Sequence, residues 1–300
     1  MQAALDFPNI APEIFSISLG GFELALRWYA MAYIVGILIG WWLMARAART
    51  PRIWRGETPA MTPAHIESFI TWAIIGIVAG GRLGYVIFYQ PGYFLANPAE
   101  IVRLWDGGMS FHGGFLGVVL ATLLFCRRNG IYLPSMADVV ALAAPPGILL
   151  GRIANFINGE LWGRPSDAPW AVIFPGAAAQ DCPGVVGPCA RHPSQLYEAG
   201  LEGLLLGAVL IIAVWGFRAL RAPGLVTGLF LVGYGAGRFV VEFFRQADPQ
   251  FMSESNPAGY AIQLGSGGMT MGQLLSLPMV LMGLAVVVVA VASAGRRRPA

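Results

Sequence analysis

Four short polar stretches interrupt an otherwise apolar chain, and each carries side chains able to do chemistry. The first, Gly108-Met109-Ser110-Phe111-His112-Gly113-Gly114, sets an imidazole among glycines. Imidazole takes up and returns a proton near neutral pH, and glycines beside it let a ligand approach the backbone. A hydrogen-bonded histidine at a helix end is the competing reading. The second stretch, Gly151-Arg152-Ile153-Ala154-Asn155-Phe156-Ile157-Asn158-Gly159-Glu160-Leu161-Trp162-Gly163-Arg164, stacks Arg152 on Asn155 at i, i+3 if helical. A guanidinium beside an amide suits a phosphodiester, because arginine is permanently charged and offers planar bidentate donors. Glu160 then either orients Arg152 or is itself a base; the alternative is an Arg–Glu pair that only pins the loop.

The third stretch, Arg191-His192-Pro193-Ser194-Gln195-Leu196-Tyr197-Glu198, opens a helix. Ser194 is a plausible N-cap, and Glu198 lies in the first turn, where a carboxylate meets the helix dipole. Most of this stretch therefore reads as capping, with His192 structural. In the fourth, Tyr234, Arg238 and Glu242 fall at i, i+4, i+8 of an apolar helix. A charged stripe cannot face lipid, so it must point into a bundle, where Arg238 pairs with Glu242 or binds an anion. Arg27 and Tyr29 reach the same level, although Tyr29 alone would read as an interfacial aromatic.

The elements that position these residues are helices in a membrane. The 300 residues are 56% hydrophobic and only 12% charged, whereas a soluble domain is nearer a quarter charged. The net charge of +3 is too small for a nucleic-acid binder, and all 19 basic residues are arginine. Met1 to Glu23 has no basic n-region, so no cleaved signal peptide is expected and the first apolar segment stays as an anchor. A window of about 20 residues finds seven candidate spans: Arg27–Ala45, Ile66–Tyr89, Gly113–Phe125, Leu133–Leu150, Gln195–Phe217, Gly224–Phe244 and Met271–Ala292. The third is short and the fourth is broken at Pro145-Pro146-Gly147, which suggests a polar interior cavity.

Arg46, Arg49, Arg52 and Arg55, then Arg127 and Arg128, then Arg218 and Arg221, then Arg296, Arg297 and Arg298 follow the odd-numbered spans and fall on one side. By the positive-inside rule that side is the cytoplasm, with the N-terminus outside and the C-terminus inside. The remaining arginines, Arg27, Arg82, Arg103, Arg152, Arg164, Arg191, Arg238 and Arg245, lie where the rule disfavours them and need local reasons. The expected fold is a single all-α polytopic domain over residues 1–300, with an outer loop at 163–191 that can cap the site. Cys182 and Cys189 lie in that loop, on the oxidising side, and either form a disulfide or stay free. Cys126 reads as a small buried apolar residue, and no cysteine has metal-ligand spacing.

The runs around His112, GRIANFINGELWGR from Gly151, RHPSQLYEA from Arg191, YGAGRFVVEFFR from Tyr234 and MTMGQLLS from Met269 resemble the prolipoprotein diacylglyceryl transferase family, in order and over nearly the whole chain. The resemblance implies a reaction without metal or other cofactor, in the bacterial inner membrane. Phosphatidylglycerol donates its diacylglyceryl group to the thiol of the lipobox cysteine in a preprolipoprotein signal peptide, releasing glycerol phosphate. It also implies that His112 is the general base, with Tyr29 and Glu160 as lesser candidates. Arg152 and Arg238 hold the lipid phosphate, with Asn155, Tyr234 and Glu242 alongside and Gly163 keeping the pocket wall open. An intramembrane serine protease using Ser110 or Ser194 would want a G-x-S-x-G elbow, which the chain lacks. A transporter for an anionic lipid would use the same arginines, but no half-and-half symmetry is visible.

Overall fold

The computed structural model describes residues 4–19, 22–182, 185, 187–265 and 267–296. Arg297 and Arg298 lie outside the described residues. Among the described residues seven long helices carry the chain: α1 (Trp28–Ala48), α2 (Pro63–Phe88), α3 (Phe111–Asn129), α4 (Leu133–Ile157), α5 (Ser194–Gly216), α6 (Leu225–Val241) and α7 (Met271–Arg296). Six are long and apolar enough to cross a membrane; α6, at 17 residues, is shorter. The membrane body is helical as expected, but the chain is not all-α. Outside the helices, β1 (Leu5–Asp6) pairs in parallel with β4 (Val172–Ile173), β2 (Glu13–Leu19) forms a hairpin with β3 (Phe22–Arg27), and β5 (Ile262–Leu264) pairs with β6 (Gly267–Met269).

Two expectations fail for local reasons. The third helix is not short: Ser110 caps it by accepting from Gly113 N at 3.2 Å, so Gly113 and Gly114 lie inside the first turn. The fourth is not broken at Pro145-Pro146 but runs for 25 residues. The two prolines remove two helical donors, and packing supports the backbone there. Gly207 of α5 lies against Pro145, while Gly36 and Gly40 of α1 seat against Gly147 and Ala143.

Sequence neighbours pack antiparallel. Gly76, Gly80 and Gly84 of α2 lie so close to Gly113 and Gly117 of α3 that an added Cβ would strike the facing backbone. Between helices in lipid, small residues supply attraction by allowing close approach. The glycines beside His112 are therefore spent on packing against α2, not on ligand approach. Alternating direction also gathers Arg46, Arg127, Arg128, Arg218 and Arg221 at one end of the bundle, where Arg221 donates to Arg52 O at 2.9 Å. The largest apolar core sits at that same end, built on Met44, Trp54, Phe125, Met136, Leu142, Leu210 and Val226. Many large apolar side chains stay exposed along the helices, including Leu38, Ile75, Leu116, Leu204 and Val288, as a lipid-facing surface requires.

The fully buried Asp138 of α4 ties that core to α6. Its carboxylate accepts from Gly224 N at 2.7 Å and from Thr227 N and Oγ1 at 2.8 Å each, satisfying the orphan donors at the start of α6. Asp138→Ala should lower stability by about 2–3 kcal/mol, the cost of a lost cap plus stranded donors. The check is a lowered unfolding midpoint in detergent, with Asp138→Asn in between.

Candidate active site

At the opposite end of the bundle, the last turns of α4, the first turns of α5 and the end of α6 bring five charged side chains together. Their centre is Glu198 of α5, about 1% exposed. Its Oε2 lies 2.9 Å from Arg152 Nε of α4, and its Oε1 lies 3.3 Å from Arg238 Nη1 of α6 and 3.0 Å from Arg245 Nη1 just beyond. Glu242, one turn after Arg238, contacts the same Nη1 at 2.8 Å and Arg245 Nε at 3.7 Å. The expected Arg238–Glu242 pair is present. Glu198 does not cap its helix; it takes three guanidinium groups, because an unpaired carboxylate at that depth would be stranded.

Asn155 links the arginines to a second group. Arg152 Nη1 donates to Asn155 Oδ1 at 3.4 Å, and Asn155 Nδ2 donates to Glu160 Oε1 at 2.9 Å and to the hydroxyl of Tyr29 in the first turn of α1. Glu160 thus orients Asn155 and, at 3.5 Å, accepts from Asn158, while the carboxylate orienting Arg152 is Glu198. Tyr234 stacks on Phe230 and lies in the electrostatic field of Arg152, Arg238 and Glu202. Glu202, one turn below Glu198 and fully buried, has no hydrogen-bond partner on either oxygen among the described residues.

Gly163 does not leave a pocket wall open. Its N–H donates to His192 O at 2.9 Å, and a Cβ there would run into the carbonyls of His192 and Phe244. It is a close-approach residue that lets the 163–191 segment lie against the end of α6. Gly272, at the start of α7, is similar: a Cβ would strike the carboxylate of Glu242, which places the MTMGQLLS run against the cluster.

His112 is not part of this cluster. It sits exposed in the first turn of α3, with a ring contact to Phe111 and no hydrogen bond among the described residues. His192 has a packing role: its Nδ1 lies 3.0 Å from the hydroxyl of Tyr197, to which Trp170 Nε1 donates at 2.7 Å. Burial lowers the His192 pKa, which favours a neutral ring.

The described residues of the 163–191 segment are folded. Val172, Phe174 and Ala179 form a small core with Phe7, Phe156 and Trp162, and Cys182 and Cys189 form a disulfide. Arg191 stacks on Trp162 at 4.0 Å and donates to the carbonyls of Ala179, Asp181 and Gly163. Two cavities flank the charged cluster. One of about 490 Å³ has a mixed polar and apolar lining, between Pro12, Glu13, Arg27, Tyr29 and Asn158; one of about 400 Å³ is apolar, lined by Trp170, Tyr197, Leu201, Val240 and Phe244.

The sequence that builds this cluster is similar to those of known proteins. A family profile described as prolipoprotein diacylglyceryl transferase matches residues 13–289. The chain belongs to that family. It is 63% identical to the phosphatidylglycerol–prolipoprotein diacylglyceryl transferase of Ruegeria pomeroyi over 95% of this chain and 96% of the relative. The enzyme of the same name from Roseobacter denitrificans is 62% identical, over 95% and 97%. That from Agrobacterium fabrum is 51% identical, over 94% and 92%. The chain is a membrane-embedded diacylglyceryl transferase.

Two members of the cluster escaped the reading of the sequence of this transferase. In the sequence Glu198 reads as a first-turn carboxylate at the helix dipole and Arg245 as an arginine that the positive-inside rule disfavours. The signals were there: Glu198 and Glu202 at i, i+4 in an apolar helix, and Arg245 seven residues after Arg238, nearly two full turns on. Glu198→Ala should cost about 3–5 kcal/mol, the penalty of breaking a buried pair. Glu242→Ala, which frees two arginines rather than three, should cost less. Thermal unfolding of the two purified variants checks the order.

Proposed function

We propose that this chain transfers the diacylglyceryl group of phosphatidylglycerol to the thiol of the lipobox cysteine of preprolipoproteins, releasing glycerol phosphate. The reading places seven crossings in the bacterial inner membrane. The arginine-rich end faces the cytoplasm, the N-terminus and the site face the periplasm, and the 163–191 segment caps the site. The observation that carries it is how the guanidinium donors are spent. Arg152, Arg238 and Arg245 use Nε or Nη1 on Glu198 and Glu242, and none of their Nη2 atoms has a hydrogen bond among the described residues. Their side chains remain 17–22% exposed. Three oriented, partly accessible donor groups in a water-poor setting suit the oxygens of a phosphodiester.

The sulfur attacks the glycerol carbon that bears the phosphate oxygen, a C–S bond forms, the C–O bond breaks, and both fatty esters survive. Two demands follow. The thiol, with a free pKa of about 8.5, must lose its proton, and the departing phosphate must have its growing charge held. Arg152 and Arg238 meet the second demand, with Asn155 and Tyr234 beside them and Glu242 fixing Arg238. His112 meets the first, facing outward where an incoming peptide arrives, with Tyr29 and Glu160 on the inner side. A cavity of mixed lining at Tyr29 and Asn158 and an apolar one at Leu201 and Val240 suit an amphiphilic donor.

The test is made in detergent with phosphatidylglycerol and a lipobox peptide containing one cysteine, read by mass spectrometry. Wild type should add a diacylglyceryl mass to the cysteine. Arg238→Ala should lose about a hundredfold or more in rate, the effect of removing one preorganised donor. An unmodified peptide with folded wild-type protein would refute the reaction and favour transport of an anionic lipid.

A further inference from the structure

We infer that Arg82 is a positioning residue for the transfer reaction: it clamps the strap between α2 and α3 and thereby fixes the helix start that carries His112. The inference rests on the reading of His112 as the group that takes the thiol proton.

Arg82 lies in the C-terminal part of α2, about 5% exposed, where a charge needs a reason to be. Every hydrogen bond it makes goes to a backbone carbonyl of the strap. Nε donates to Ile101 O at 2.9 Å, and Nη2 donates to Glu100 O at 2.7 Å and Arg103 O at 3.1 Å. Nη1 donates to Gly108 O at 3.2 Å and to Gly107 O. One rigid planar fork therefore holds both halves of the strap, 100–103 and 107–108, at a fixed separation. A lysine cannot reproduce that geometry from a single ammonium.

The strap is shaped to meet the fork. Gly107 and Gly108 have φ of +80° and +79°, which turns consecutive carbonyls toward Arg82 in a conformation that L side chains resist. A Cβ on Gly108 would strike the ring of Tyr85 and come within 2.9 Å of Arg82 Nη1. The clamp ends where α3 begins: Ser110 N donates to Gly81 O at 2.9 Å, Ser110 caps the helix, and His112 follows in the first turn. The outer side of the strap exposes apolar side chains at Val102 and Trp105, and Met109 packs on Gly81 of α2. Exposed aromatic side chains such as Trp105 favour a membrane–water interface.

The experiment compares Arg82→Gln, Arg82→Lys and His112→Ala in the full-length enzyme, with phosphatidylglycerol and lipobox peptide in detergent. Arg82→Gln should lower kcat by roughly a hundredfold, the size of effect a small misplacement produces, with KM for phosphatidylglycerol little changed because the arginine cluster is untouched. Arg82→Lys should recover part of kcat. The decisive readout is the rate at which diethyl pyrocarbonate modifies His112, measured by peptide mass spectrometry with His65 and His192 as internal references; it should change in Arg82→Gln while the reference rates stay constant. If Arg82→Gln does not insert as folded protein, Gly108→Ala releases the clamp from the strap side and should give the same pattern. A wild-type kcat in the folded variant, or an unaltered His112 modification rate, overturns the clamp. Full activity in His112→Ala overturns instead the reading of His112 on which it rests.

Discussion

An ionised carboxylate at the depth of Glu198 is costly unless positive charge meets it there, and three arginines supply that charge. Arg152 comes from the end of α4, Arg238 from α6, and Arg245 from the turn after it. Each arginine is as dependent on the carboxylate as the carboxylate is on it, since desolvating either alone costs several kcal/mol. The ends of α4, α5 and α6 are consequently locked to one another by charge as well as by the close packing of Gly203 on Leu149 and of Gly237 on Leu201. The large apolar core lies at the other end of the bundle. This division leaves the site end free to be polar, partly open and flanked by cavities without giving up a defined geometry.

Arginine rather than lysine is needed wherever one side chain must serve several acceptors in fixed directions. The cluster shows this with shared carboxylates, and the extramembrane segments show it with backbone carbonyls. Arg82 gathers the strap before α3, Arg164 joins Arg245 O at 2.8 Å and Ala258 O at 3.1 Å, and Arg191 gathers the 163–191 segment. Arg27 and Arg103 make more exposed pairs with Glu13 at 3.3 Å and Glu100 at 2.6 Å. Each arginine that the positive-inside rule disfavours thus has a partner that explains it. Loops at a membrane surface hold little apolar core of their own, so a buried guanidinium with many donors does the work of packing.

Much of the candidate site is legible in the sequence. The i, i+3 pair Arg152–Asn155 and the i, i+4 pair Arg238–Glu242 are local, set by helical periodicity, and both exist as read. Roles that depend on what lies across the bundle were misread. Glu160 serves Asn155 and not Arg152, Gly163 closes a backbone contact and opens no pocket, and Glu198 is the hub of the cluster and not a cap. The Pro145-Pro146 break was misread for a related reason: a proline pair weakens an isolated helix, but neighbours on both sides decide whether it bends.

By itself, the sequence determined that the chain lives in lipid, that its helices alternate so that arginine-rich turns share one end, and which short motifs carry charge into the bundle. These follow from composition, helical period and chain direction, all of which are local or additive along the chain. Tertiary structure alone decided which carboxylate each arginine meets, that the glycines beside His112 seat α3 against α2, and that His112 stands apart from the arginine cluster. Those outcomes depend on distances between residues far apart in the chain. Spacing along a helix constrains its own face; only packing selects the face opposite it.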